Sequence, residues 1–277
     1  MRLFCLADQA TDWIPKQILA GFCRHTNHEL VDTPSAADLI WVQSYYADLN
    51  AIARPGLGWR LLKRLGRAKP SPRMYRLPEL AGKPVLVSLH HLTPGREHEF
   101  APKLAIADRL ADAYHFFSSI NIPFIGKFVS HPGFHLPYWI DLEQFRPLAE
   151  AERVRIRRDL ELPAGRRIIG SFQRDTEADG ISPKPEKGPD LLCDILEHLE
   201  RDTIFVLLSG PRRAYVERRL ASAGIPFRSL GHSDAETMNA LYNALDVYLV
   251  TSRTEGGPQA ILECMAIGTP ILSTPVG

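Results

Sequence analysis

The chain has 277 residues, 45% of them hydrophobic and 23% charged, with a formal net charge of +1 at pH 7. That length accommodates one large domain or two small ones, and the composition is that of an ordinary globular protein. A near-neutral charge gives no global field for nucleic acid, and no apolar run approaches the ~18 residues that cross a bilayer. Cys5, Cys23, Cys193 and Cys264 are scattered, without a C-x-x-C pair or a histidine at metal spacing. Neither a disulfide framework nor a zinc site is expected, and a reducing cytoplasm is the default setting.

In chain order, the N-terminal MRLFCLADQATDW is broken by Asp8 and Asp12, so it reads as a first strand and not as a secretory signal. Short apolar runs predict strands at 2–7, 37–43, 83–89, 113–119 and 124–131, and again at 166–172, 203–210, 247–252 and 269–274. Helical periodicity predicts helices at 14–25, 104–113, 188–200, 214–224, 235–245 and 258–268. This alternation argues for βαβ units and parallel sheets, an α/β fold. A polar, proline-punctuated segment near 146–165, with a bridging helix in AEAERVRIRRDLEL, separates two strand-rich halves. The predicted domains are 1–150 and 151–277. The strand TPILST and the turn PVG close the sequence, where a doubly wound sheet is expected to continue; the second domain is therefore expected to lack its C-terminal end.

The segment TSRTEGGPQAILECMAIGTPILSTPVG, 251–277, carries the most chemistry. Glu255 stands in a Gly-Gly-Pro turn and Glu263 on the following helix, with seven residues between them. A strand, a Gly-rich turn bearing an acid and a helix N-terminus can hold a ligand rich in hydroxyls and phosphates. Backbone N–H groups at the helix start favour anionic oxygen, and carboxylates accept from sugar hydroxyls. Two acids at this spacing, taken alone, favour surface acids on a turn and a helix, and Lys187 could be an ordinary solvated lysine. A cation at a helix start is disfavoured unless an anion is near, which points Lys187 toward a ligand. His90 and His91 follow the strand KPVLVSL, and strand ends are where α/β sheets bind ligands. Tyr242 and Asp246 read as packing or capping residues.

Ser252, Glu255, Gly256, Leu262, Glu263, Met265, Ala266, Gly268 and Pro270 fall in register with a pattern S-x-x-E-G-x-x-x-x-x-L-E-A-M-A-x-G-x-P-V. The segment resembles the donor-binding half of group 1 (family 4) retaining glycosyltransferases. EKGPDLL, 186–192, and PYWIDLEQFRPL, 137–148, resemble further motifs of that family. The resemblance covers about 160–277 and is weak over 1–135. It implies two Rossmann-like domains of GT-B type with a cleft between them, the first on the acceptor side and the second binding a nucleotide-sugar donor. It implies that Glu255 contacts donor-sugar hydroxyls, that Gly256 and Gly257 bring backbone amides to sugar and diphosphate, that Glu263 accepts from the ribose and that Lys187 pairs with the diphosphate. His90 takes the place of a histidine the family carries after a strand of its first domain.

The sequence departs from the family where Ser171, not arginine, follows Gly170; Arg174 or Lys184 is left to supply that charge. LADQATDW stands where a Gly-Gly turn is expected. The implied activity is transfer of a hexose-type sugar from a nucleotide-diphosphate sugar to an acceptor hydroxyl with retention, in polysaccharide or glycolipid assembly. The partners implied are the donor and a saccharide or lipid-linked acceptor, with no cofactor and no metal; no Asp-x-Asp motif is present. A GT-B-type nucleotide-sugar epimerase and a non-catalytic nucleotide-sugar-binding protein are the alternatives. The stretch 59–76 has seven Lys or Arg and no acid. It fits either a solvated loop or a basic amphipathic helix in peripheral contact with the inner face of a membrane.

Overall fold

The computed structural model describes residues 1–7, 13–65 and 74–277. Asp8, Asp12 and most of LADQATDW, and 66–73 of the basic stretch, lie outside the described residues. The chain forms two compact units, Met1–Pro137 and Tyr138–Gly277.

The first unit contains β1 (Arg2–Leu6), α1 (Trp13–His25), β2 (Glu29–Leu30), β3 (Leu39–Val42), β4 (Ala53–Pro55) and α2 (Leu57–Arg64). It continues with β5 (Met74–Arg76), β6 (Val85–Leu89), α3 (Glu97–Asp108), β7 (Ala113–Phe116), α4 (Ile122–Ile125) and β8 (Gly133–His135). Six strands form one sheet in the order β2-β1-β3-β6-β7-β8, every pairing parallel. β4 and β5 form a separate antiparallel pair. Ile40, Val42, Val85, Val87, Leu89 and Tyr114 are buried along the central strands. These near-continuous apolar strands are what a sheet covered on both faces requires.

The second unit contains α5 (Glu150–Asp159), β9 (Arg167–Phe172), α6 (Pro189–Glu197), β10 (Ile204–Ser209) and α7 (Ala214–Ser222). It ends with β11 (Phe227–Ser229), α8 (Ala235–Asn243), β12 (Val247–Val250), α9 (Gln259–Ile267) and β13 (Ile271–Ser273). Its five-stranded sheet runs β11-β10-β9-β12-β13, again wholly parallel. Asp246, at the entry to β12, accepts from the Ile168 N–H at 2.7 Å and from Arg157 at 2.9 Å. It thereby ties β12 to β9 and to α5, which is more than a capping role. A Cβ on Gly170 would run into the Leu245 side chain, so glycine lets β9 lie close under the start of β12. Phe145, upstream of α5, is buried in this unit's core with Leu241, Tyr242 and Tyr248.

One predicted strand is corrected. FIGKFVSH, 124–131, is not a strand: α4 ends at Ile125 and turns follow. The spacing is helical, because Phe124 and Phe128 are four apart. Both rings meet Phe100 of α3, at centroid separations of 6.3 and 5.1 Å. The sheet is extended instead by β8, whose Gly133 sits where any Cβ would meet the Phe116 ring. The helix predicted at 104–113 begins earlier, at Glu97, and stops at Asp108. Asp112 then accepts from the Val85 N–H at 2.8 Å and pairs with Arg76 at 2.6 Å, which steers the chain into β7.

Phe100, 2% exposed, anchors this aromatic group. Phe100→Ala is expected to cost about 3–5 kcal/mol, the range for emptying a buried aromatic site. Urea denaturation followed by circular dichroism would measure it.

Candidate functional site

In an open parallel sheet, ligands bind beyond the carboxyl ends of the strands, where the strand order reverses. In the second unit that point lies between β9 and β12, the first strand and the fourth. Beyond β9 come Gln173 and Arg174, and beyond β12 come Thr251, Ser252 and Glu255. A third segment, the 3-10 turn Pro185–Lys187 with Gly188, closes on them.

Gly188 is what permits the closure. Its φ is +57°, a left-handed conformation, and a Cβ there would collide with the Thr251 carbonyl. Lys187 and the β12 loop therefore come into contact. The Glu186 carbonyl accepts from the N–H groups of Arg253 and Thr254, at 2.8 and 3.2 Å. Arg253 makes two bonds of 2.7 Å to the Asp190 carboxylate, a bidentate clamp.

Within this frame the Lys187 ammonium lies 2.5 Å from Glu255 Oε1. Ser252 donates to the same oxygen at 2.7 Å. The Gln173 amide donates to the Lys187 carbonyl at 3.1 Å, and its oxygen faces the Ser252 hydroxyl at 3.4 Å. The side chains of Lys187 and Glu255 are 22% and 11% exposed, so the pair is largely withdrawn from water yet open on one side. Gly257, at φ +128°, leads into α9, whose first turn has no side-chain cap. N–H groups at such a start are donors for an anion. The arrangement offers a cation, a carboxylate and open amides within one loop cluster.

Glu263 lies deeper, on α9, and is only 2% exposed. Tyr242 donates a hydrogen bond of 2.6 Å to its Oε2. Burial pushes the Glu263 carboxyl up to about 7, with the Tyr242 bond pulling the other way. Lys184 pairs with Glu186 at 2.9 Å. Arg174 is exposed and makes no hydrogen bond or ion pair among the described residues.

Sequence reasoning missed two features here. Gln173 joins three of the converging segments, and its only signal was its place directly after a strand. Arg213, between β10 and α7, is buried against Asp175 at 3.1 Å. It also donates to the Gln173 carbonyl and, at 3.3 Å, to the Ser171 hydroxyl. A guanidinium thus stands beside Ser171, delivered from a different loop. Burial pushes the Asp175 carboxyl up and Arg213 pulls it down. Removing either member of such a pair leaves a buried charge uncompensated.

His90 belongs to the first unit, directly after β6. Its ring stacks on Phe117 at 4.6 Å, and its Nε2 lies 2.9 Å from the Gln43 carbonyl. A carbonyl only accepts, so Nε2 carries the hydrogen. Burial lowers the imidazole to about 4, which leaves His90 neutral at pH 7. Among the described residues no cluster of three His, Cys, Asp or Glu side chains is placed to hold a metal ion, and no helix is long and apolar enough to cross a membrane.

The Glu263 shift carries a stability consequence. The folded state keeps this proton up to about pH 7, whereas the ordinary value is 4.5. Stability held by the neutral form is complete below about 4.5 and is lost as pH rises through about 7. Measured against Glu263→Gln, the thermal midpoint of the parent should therefore fall as pH rises from 5 to 8. Glu263→Gln should lack that part of the slope.

Residues 180–277 match the family model described as Glycosyl transferases group 1. The lipopolysaccharide core biosynthesis mannosyltransferase LpsB of Rhizobium meliloti (strain 1021) is 28% identical over 147 residues, 50% of this chain and 39% of that protein. The D-inositol 3-phosphate glycosyltransferase of Xylanimonas cellulosilytica is 30% identical over 152 residues, 51% of this chain and 34% of that protein. The match thus spans well under half the length of either relative. The crystal structure of Anabaena Alr3699/HepE in complex with UDP-glucose superposes with a TM-score of 0.72 at 17% identity, over 100% of this chain and 81% of that one. The family match thus covers residues 180–277, and the two α/β units have the GT-B type of fold.

Proposed function

We propose that this chain moves a hexose-type sugar from a nucleotide-diphosphate sugar to an acceptor hydroxyl with retention, in lipopolysaccharide, polysaccharide or glycolipid assembly. The observation that carries the reading is the Lys187–Glu255–Ser252 cluster at the reversal point of the second unit's sheet, inside the segment that matches the family. The second unit, Tyr138–Gly277, is assigned as the donor side and the first unit, Met1–Pro137, as the acceptor side.

The leaving diphosphate departs with about two negative charges. Lys187 and the uncapped start of α9, reached through Gly256 and Gly257, stabilise that charge as it develops. In the unliganded chain Glu255 neutralises Lys187. When the diphosphate recruits the ammonium, the Glu255 carboxylate is released to accept from donor-sugar hydroxyls, with Ser252 keeping it in place. Glu263 accepts from the ribose. Arg174, exposed after β9, is assigned as a second cation for the phosphates. The acceptor oxygen attacks from the face the diphosphate leaves, forming the new glycosidic C–O bond as the old one breaks and passing its proton to the departing diphosphate oxygen. Neutral His90, in the first unit, is assigned a hydrogen-bonding role in the reaction, not a charge. No metal is assigned a role.

The relatives named above include a lipopolysaccharide enzyme, and the proposed setting is cytoplasmic, with peripheral contact at the inner face of the membrane. Leu57, Leu61 and Leu65, spaced by four, are 84%, 60% and 60% exposed on and just beyond α2. An exposed leucine stripe within a basic stretch suits an anionic lipid surface.

Thermal unfolding with UDP, GDP and ADP, each against its nucleoside, tests the donor site. One diphosphate at about 100 times its dissociation constant should stabilise the chain by roughly 2.7 kcal/mol. No shift with any of them removes the reading. Glu255→Ala should abolish transfer while circular dichroism shows the fold retained; retained transfer refutes its role. The parent should pellet with anionic vesicles, and serine at Leu57, Leu61 and Leu65 should abolish pelleting.

A further inference from the structure

Tyr242 is 1% exposed, and its ring packs among Phe145, Phe172 and Tyr248, at centroid separations of 6.4, 5.1 and 5.3 Å. A phenylalanine would serve that packing equally well. The hydroxyl is used elsewhere, in the 2.6 Å bond to Glu263 Oε2. No other hydrogen bond reaches the Glu263 carboxylate, and no cation pairs with it, among the described residues. One oxygen is therefore fixed by α8 while Oε1 is uncommitted. A carboxylate held at one oxygen has lost most of its rotational freedom before any ligand arrives, which lowers the ordering cost of binding.

We infer that Tyr242 is a positioning residue for nucleotide binding, its hydroxyl fixing Glu263 Oε2 so that Oε1 is presented to the ribose hydroxyls of a nucleoside diphosphate. The inference rests on the ribose reading of Glu263 given under Proposed function. It adds a regulatory property, because an acceptor carboxylate buried to this degree binds protons in the neutral range. The titratable groups packed around it are Tyr242 from α8, Tyr248 from β12 and Cys264 on α9 itself; β13 brings none. The Tyr242 bond favours the ionised carboxylate, so it extends ribose recognition to lower pH. Without that bond the burial cost is unopposed.

The test compares two ligands, so that titration of the phosphates and of the base cancels. The nucleoside diphosphate giving the largest thermal shift and its 2′,3′-dideoxy counterpart are titrated calorimetrically into the full chain from pH 5.5 to 8.5. Hydrogen bonds to an ionised carboxylate should favour the ribonucleotide about tenfold or more at pH 8. In the parent that preference should fall toward one as pH drops through about 7. Tyr242→Phe, which removes a single oxygen from the core, should move the fall upward by roughly one pH unit. Glu263→Gln should give a small preference that does not change with pH. A Tyr242→Phe profile coincident with the parent's, in the presence of a flat Glu263→Gln profile, overturns the positioning role and leaves the ribose reading intact. A Glu263→Gln variant that keeps the parent's preference and pH slope overturns the ribose reading and the inference with it. A parent preference that is flat with pH also overturns the inference, and needs no variant to fold.

Discussion

The close approach of the Lys187–Gly188 turn to the end of β12 governs the second unit's chemistry. Two backbone segments meet there at a distance no side chain would allow, because Gly188 adopts a left-handed conformation against the Thr251 carbonyl. That contact lets the Glu186 carbonyl take the amides of Arg253 and Thr254, and it brings an ammonium and a carboxylate together across 68 residues of sequence. The sheet supplies the rest. Adjacent strands β9 and β12 are parallel, so both deliver their loops to the same edge. The reversal of strand order between them leaves room for those loops.

Burial then decides how each charge behaves. Lys187 and Glu255 are partly open and can exchange partners when an anion arrives. Asp175 and Arg213 are closed to water and act as a brace under Gln173 and Ser171. Such a pair adds little net stability, but it fixes the end of β9 because breaking it would strand a charge in the core. Glu263 sits between these cases, a buried acid with one phenolic donor. The three acids have the same chemistry in water, and their surroundings give them distinct roles.

Much of the architecture is legible along the chain. Runs such as RRIIGSF and TIFVLLSG are apolar, short and bounded by turn residues, so their strands can be read locally. The 124–131 segment misleads because an apolar run without alternation does not distinguish strand from helix. Its Phe124–Phe128 spacing becomes decisive only once Phe100 is known to lie opposite. β2, β8 and β11, each three residues or fewer, are too short for a periodicity of their own and exist because a longer neighbour offers an edge.

The sequence by itself determined the α/β class, the parallel arrangement and the chemical types gathered in Thr251–Gly277, because periodicity and turn chemistry are properties of neighbouring residues. Tertiary structure alone decided which distant groups meet. Gln173 sits under Ser252, Arg213 beside Ser171, Lys187 on Glu255 and Tyr242 on Glu263, pairs separated by between 21 and 79 residues. No local pattern marks such partners, since their contact depends on sheet order and on one glycine's backbone. A tyrosine that reads as packing in a helix can also be a hydrogen-bond donor to a buried carboxylate, and only the fold tells the two apart.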